Sequence, residues 1–389
     1  MRVLHVITGL RAGGAEQQLR LLLRHLPGHH RCEVAVLTAP GAVADGIRAD
    51  GTPVHHLGMR GNRDAAVLPR LTVLVRRGRF DVVHTHLYRA CLYGRLAARL
   101  AGVRAVVATE HSLLDGCIES RPATRGVRAL YLAAERLGST TVAVSDDVRD
   151  RLAAWGVPPH RLEVLPNGVD AARHVRPDAA RAALRRTLRD RLGLPQEAHV
   201  VGAVGRLVPG KRFDVLVDAL ALLAARRPAG AAAPGREPWL LLVGDGPGRA
   251  ALEARAHAAG VARRTVFAGE RDDVPDLLTA VDVLAAPSDA ETFGLAVLEG
   301  LAAGLPVRYG SCPALDRLPP GAAPGARRLP PDPAAYADAL AAPAGHRPPP
   351  LPQPPAVHHY DIARTAAGLG ALYDRVGAPR RPAPAPVRR

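Results

Sequence analysis

Lysine is all but missing from this sequence. Of its 52 basic residues 51 are arginine, and the single lysine, Lys211, ends the stretch GRLVPGK at 205–211. Aromatic residues are scarce as well, 3% of the chain, so any core is built from Ala, Leu and Val. Without aromatics interleaved among basic residues there is no stacking platform for single-stranded nucleic acid. The four cysteines, Cys32, Cys91, Cys117 and Cys312, lie far apart, and none belongs to a CxxC pair. That spacing argues against a zinc site and a disulfide framework, and fits reduced thiols in a cytosolic protein. No run of about 18 uncharged apolar residues occurs, so no membrane-spanning helix is expected. The apolar start, MRVLHVITGL, is too short for a signal peptide and reads as a first strand.

Charge is plentiful but one-sided: the formal net charge is +16. Residues 1–172 carry 23 arginines against 15 acidic residues, about half of that excess on a little under half of the chain. An evenly spread arginine surface, rather than a basic arm for nucleic acid, is the reading that follows. A chain of 389 residues suits two domains. Continuous Val/Ile/Leu runs of strand length alternate with helical patterns from VLHVI (3–7) through LEVLPN (162–167), and again from HVVGAVGRL (199–207) through VDVLAAP (281–287). Strands buried on both faces by crossover helices read this way, so the expected class is α/β with open parallel sheets. The expected organisation is a first domain over 1–172, a linker with one helix over 173–198 and a second domain over 199–342. A proline-rich spacer without regular structure (343–357), a closing helix (358–376) that returns to the first domain, and a disordered tail (377–389) then follow.

In open α/β sheets ligands bind where strands lead into helices. Three such loops carry candidate chemistry. Arg206 and Lys211 flank the first turn after HVVGAVGRL; a cation ahead of a helix opposes its dipole unless an anion sits between them. Within DAETFGLAVLEGLAAGLPV (289–307), Glu291 precedes a helix expected over 294–303 and Glu299 lies inside it, beside its apolar face. A carboxylate there needs hydrogen-bond donors, and sugar hydroxyls supply them. The amides of Phe293, Gly294 and Leu295 at the helix start suit phosphate oxygens. The third loop, GLRAGGAEQ (9–17), brings Gly13 and Gly14 close to a ligand but has no GxGxxG, and the strand after it ends without an acid. That disfavours a nicotinamide oxidoreductase.

These stretches, with VGDGPGRAALE, AVSDDVRDRL and VLPNGVD, resemble the retaining glycosyltransferase family 4 over about residues 1–307. The resemblance implies the GT-B fold, two Rossmann-like domains facing across a cleft. It also implies transfer of a sugar from a nucleotide diphosphate to an acceptor with retention, without a metal or a cofactor beyond the donor. By that resemblance Arg206 and Lys211 neutralise the leaving diphosphate, Glu299 binds the ribose and Glu291 a donor-sugar hydroxyl. His111 in ATEHS stands near sugar and phosphate, and Gly13 and Gly14 let the first loop close over them. The acceptor, held by the first domain, is lipid-linked, a saccharide or a small molecule. After Val307 the sequence departs from the family pattern, which leaves the far edge of the second domain open and raises an alternative, a member with weakened or altered activity. The segment LPRLTVLVRRGRF (68–80) combines an apolar stripe with Arg70, Arg76, Arg77 and Arg79, a pattern for peripheral contact with an anionic, cytoplasmic membrane face.

Overall fold

The computed structural model describes residues 1–11, 13–61, 64–119, 121–226, 237–341 and 349–378. The first sheet is built from β1 (Arg2–Ile7), β2 (Arg31–Val36), β3 (Val54–His56), β4 (Val82–His86) and β5 (Ala105–Glu110). A three-stranded antiparallel flap follows, β6 (Leu113–Leu114), β7 (Cys117–Ile118) and β8 (Arg121–Pro122); β9 (Thr140–Ala143) and β10 (Leu162–Val164) then complete the sheet. The order is β10-β9-β5-β4-β1-β2-β3, parallel throughout. The second sheet holds β11 (His199–Val204), β12 (Pro238–Val243), β13 (Thr265–Gly269), β14 (Val283–Ala286), β15 (Val307–Tyr309) and β16 (Ala326–Arg328). Its order, β13-β12-β11-β14-β15-β16, reverses between β11 and β14, as the first sheet's does between β1 and β4. These are the switch points at which doubly wound sheets bind ligands.

Alternate residues of the first sheet face opposite helix layers, because side chains alternate along a strand. Val3, Val82, Ala105 and Val107 pack beneath helices Gly14–His25 and Ile362–Gly377, while Leu4, Val6, Val83 and Val106 pack against Val67–Gly78 and Tyr88–Leu100. The late helix Ile362–Gly377 thus completes the first domain's core, with Tyr373 fully buried.

Several elements differ from the sequence reading. The segment 173–198 is more than a linker: helix Asp178–Leu192 packs its Leu188 into the second domain's core. Its fully buried Arg189 bonds the carbonyls of Ala280, Pro195, Gln196 and Ala198 and the Asp282 carboxylate at 2.8 Å. The divergent stretch after Val307 still builds the sheet's far edge, as β15 pairs with β14 and β16 with β15. Neither β15 (VRY) nor β16 (ARR) carries an apolar run by which a strand could be read. Within the proline-rich spacer, residues 355–357 open a short helix, Pro355–His359, because proline at the first helical position loses no bond. The closing helix starts at Ile362 and runs through Gly377; the remaining tail and residues 342–348 lie outside the described residues. On helix Val67–Gly78 the apolar stripe of Val67, Leu71 and Val75 is buried in the core, so it is not available to a membrane.

Arg189 tests the second domain's packing. Arg189→Ala takes one partner from the half-buried Asp282 carboxylate, which keeps Arg185 and the Val200 N–H, and the donor from four carbonyls, a loss of about 3–5 kcal/mol. Denaturant unfolding followed by Trp239 in a Trp155→Phe background is expected to show it; an unchanged midpoint contradicts it.

Candidate functional site

The loops leaving β11 and β14 approach the first domain at its own switch point. Gly205 and Gly244, both with positive φ, end neighbouring strands, and a β-carbon on Gly244 would stand 2.1 Å from the Gly205 carbonyl oxygen. Only a glycine admits this approach. The chain then turns through Pro209–Lys211 into helix Phe213–Ala225, passing Arg212 in the left-handed region. Lys211 lies in this turn, and its Nζ reaches Glu291 Oε1 at 2.5 Å. The lone lysine and the first glutamate, 80 residues apart, are one ion pair.

Glu291 opens the turn that leads to helix Leu295–Ala302. Gly294 caps the helix at φ 102°, and a β-carbon there would meet Cys312 Sγ at 2.5 Å. Phe293 is buried, its ring edge-on to Tyr360 at 5.1 Å. Phe293 therefore anchors the turn by its side chain, and only backbone atoms of 293–295 remain for a ligand. The first N–H groups of a helix have no intrahelical partner. Among the described residues nothing accepts from those of Gly294 and Leu295.

Thr292 ties this turn to the first domain. Its Oγ1 donates to the His111 carbonyl at 2.8 Å, and its own carbonyl accepts from Ser145 Oγ at 2.7 Å. His111 follows β5 and is buried, which pushes its pKa down to about 4 and keeps the ring neutral. Gly13 caps helix Gly14–His25, and a methyl group on Gly14 would lie 3.5 Å from Leu295 Cδ1. The structure thus gathers Gly14, His111, Lys211, Glu291, Gly294 and Leu295 around one junction. Arg206, two residues beyond β11, is exposed at the cleft, and its charge acts on Glu16 and Glu119 of the first domain.

Glu299 stands on the same helix, beyond the junction. Burial pushes its carboxyl up to about 7, with Arg173 pulling the other way. Among the described residues no group donates a hydrogen bond to it. Glu16 is also raised to about 7 by burial, opposed by a backbone N–H and by Arg206. Gly13 makes room for that carboxylate, since a β-carbon there would sit 2.3 Å from Glu16 Oε2.

The sequence reading missed Glu16 and Glu119. Glu16 had a signal, an acid in the first turn after a Gly-Gly loop. Glu119 had none, because the flap that carries it returns to the mouth of β4, where its carboxylate accepts from the Tyr88 N–H. Leu87, Glu119 and Arg212, three of the four non-glycine residues with positive φ among the described residues, all border this junction. Such strained backbone concentrates at functional sites.

Residues 12–173 match the model of Glycosyltransferase Family 4, and residues 185–312 that of Glycosyl transferases group 1. The 2-deoxystreptamine glucosyltransferase of Streptomyces kanamyceticus is 35% identical over 67% of this chain and 69% of its own. The chain belongs to glycosyltransferase family 4. A GDP-mannose-dependent alpha-(1-6)-phosphatidylinositol monomannoside mannosyltransferase of Mycobacterium tuberculosis is 36% identical over 77% of both chains. The D-inositol 3-phosphate glycosyltransferase of Salinispora tropica is 35% identical, and the chain spans about half of its length, 49%. Among solved structures, Anabaena HepE in complex with UDP and glucose superimposes with a TM-score of 0.73 at 20% identity, over 96% of this chain and 95% of that one. Sucrose-phosphate synthase from Thermosynechococcus elongatus gives 0.69 at 18%, over 97% and 99%. These neighbours share the GT-B fold.

Glu299 provides a pH test. An acid with a raised folded pKa weakens the fold as its unfolded counterpart ionises. The penalty is absent below the ordinary glutamate value of 4.5, grows as pH rises to about 7 and is complete above it. Nucleotide-free Glu299→Gln is therefore expected to exceed the parent by about 1–3 kcal/mol at pH 8. That gap should shrink several-fold by pH 5 in denaturant titrations; an equal gap at both values contradicts the assignment.

Proposed function

We propose that this family 4 enzyme transfers a sugar from a nucleoside-diphosphate sugar to an acceptor hydroxyl with retention and without a metal. The observation that carries it is the junction of Lys211, Arg206 and the unpartnered N–H groups of Gly294 and Leu295. Two cations and a helix N-terminus converge where a leaving diphosphate gathers charge. The ribose hydroxyls donate to Glu299, whose desolvated carboxyl accepts from no donor among the described residues. Glu291, oriented by Lys211, takes a hydroxyl of the donor sugar, and His111 stands beside sugar and phosphate. Catalysis of this kind depends on placed charge more than on a general base. The six-stranded second sheet, with its edge intact, favours a competent enzyme over a weakened member of the family.

For the acceptor we favour a cyclitol. Relatives are named for 2-deoxystreptamine and for D-inositol 3-phosphate, both six-membered carbocycles bearing several polar groups. Lipid-linked and saccharide acceptors are the competing classes. We place the reaction in the cytoplasm, where nucleotide sugars are made. Peripheral contact with an anionic membrane face would rest on the charges of Arg70, Arg76, Arg77 and Arg79, since the apolar stripe of their helix is used in the core. A thermal-shift screen of nucleoside diphosphates and their sugars names the donor, because a ligand bound only by the folded state raises its melting temperature. No shift with any of them contradicts the proposal. Transfer is expected to persist in EDTA.

Lys211 decides the mechanism most sharply. Arginine keeps the charge but presents a planar fork where a compact ammonium meets Glu291. Lys211→Arg is expected to lower kcat about tenfold, ~1.4 kcal/mol of barrier, with a smaller change in donor KM. Lys211→Ala should lose both. Steady-state donor turnover reads this, and parental kcat in Lys211→Arg contradicts the assigned role. Glu299→Ala should instead weaken nucleotide binding, and Glu291→Ala mainly slow transfer; parental binding and turnover in both would overturn these roles.

A further inference from the structure

Beneath the junction a file of histidines crosses the first sheet. His5 on β1, His84 and His86 on β4 and His111 after β5 are all buried on the face covered by helix Ile362–Gly377. His5 Nδ1 lies 3.0 Å from His86 Nε2, and His86 Nδ1 lies 3.2 Å from His111 Nε2. The two end nitrogens, His5 Nε2 and His111 Nδ1, are buried and without a partner among the described residues. His84 stands apart, its two nitrogens taken by the Tyr373 hydroxyl at 2.5 Å and Thr109 Oγ1 at 2.7 Å. His5, His84 and His86 bring ring nitrogens within 4.8 Å of one another, as a metal would require. With both nitrogens of His84 engaged, hydrogen bonding already accounts for the cluster.

Proton counting fixes what the file can do. Burial holds these rings neutral at ordinary pH, with repulsion from the neighbouring imidazoles adding to it at His86. Three neutral rings, His5, His86 and His111, carry three N–H protons. Their two contacts take one each, so the third proton sits at one end. Both end nitrogens are buried without a partner, but at the His5 end, away from the junction, the proton would stay an orphaned donor with or without a ligand, the rarer and costlier kind of unsatisfied group. At the His111 end it can meet an anionic oxygen. With the proton on His111 Nδ1 every other position follows: His86 Nδ1–H donates to His111 Nε2, and His5 Nδ1–H donates to His86 Nε2. No proton enters or leaves the file; its polarity alone is set.

We propose that His86 and His5 are positioning residues that hold His111 as its Nδ1–H tautomer, presenting a neutral hydrogen-bond donor to a phosphate or sugar oxygen of the bound donor. This rests on His111 standing at the donor site, as the function proposed above has it. Free histidine favours the opposite, Nε2–H form, so the file imposes a tautomer that the ring would not choose by itself.

Two-bond 1H–15N spectra of the full chain labelled with 15N-histidine read this directly, free and with UDP at pH 7.5. His111 is expected as Nδ1–H in both states; an Nε2–H ring or an imidazolium overturns the proposal, whatever any variant does. His86→Leu removes the donor to His111 Nε2. It should move His111 toward Nε2–H and lower kcat about tenfold with donor KM changed by less than about twofold. In His86→Asn the amide N–H stands near the lost Nδ1–H and is expected to restore both in part. An unchanged His111 spectrum in a folded His86→Leu protein also overturns the proposal. Should the parent turn over no sugar nucleotide, the transferase reading fails while the spectra still decide the file.

Discussion

The site depends on the joint that Thr292 makes between the two domains. The threonine's hydroxyl holds the carbonyl of His111 and its carbonyl takes the hydroxyl of Ser145, so the turn carrying Glu291 and Gly294 is held against the carboxyl ends of the first sheet. Each sheet alone offers a switch point with a short loop and a helix start. Joined at Thr292, the two switch points share one space, with cations and a helix N-terminus on one side and a neutral histidine and carboxylates on the other. The strained backbone at Leu87, Glu119 and Arg212 belongs to the same joint.

Burial at this joint sets the electrostatics. Glu16, Glu110 and Glu299 are each pushed up to about 7, chiefly by loss of water, while His5 and His111 are pushed down to about 3 and about 4. Acids and imidazoles alike are thus held near neutrality, beside the cations Lys211 and Arg206. An arginine-rich chain retains its one lysine at the point where a compact cation must fit beside a carboxylate.

Much of the fold was legible because parallel strands covered on both faces are written as apolar runs, and β11 and β12 are of that kind. The flap strands, β15 (VRY) and β16 (ARR) were not, since they carry no apolar run and β15 and β16 owe their pairing to neighbours distant in sequence. Lys211, Glu291 and Glu299 could be singled out one at a time, by scarcity and by a carboxylate in an apolar helix. Their geometry could not, because the Lys211–Glu291 contact closes a loop of 80 residues. Thr292 looked like an ordinary turn residue. His5, His84 and His86 occupy core positions of strands, where a histidine reads as structural until the register aligns His5 with His84 and puts His86 within reach of both His5 and His111.

The most direct measurement is a crystal structure of the protein with UDP bound. The account predicts the β-phosphate within hydrogen-bonding distance of Lys211 Nζ and of the Gly294 and Leu295 N–H groups, with the ribose hydroxyls on the Glu299 carboxylate. A nucleotide bound elsewhere, or bound here with its phosphates turned away from Lys211 and the helix start, would contradict it.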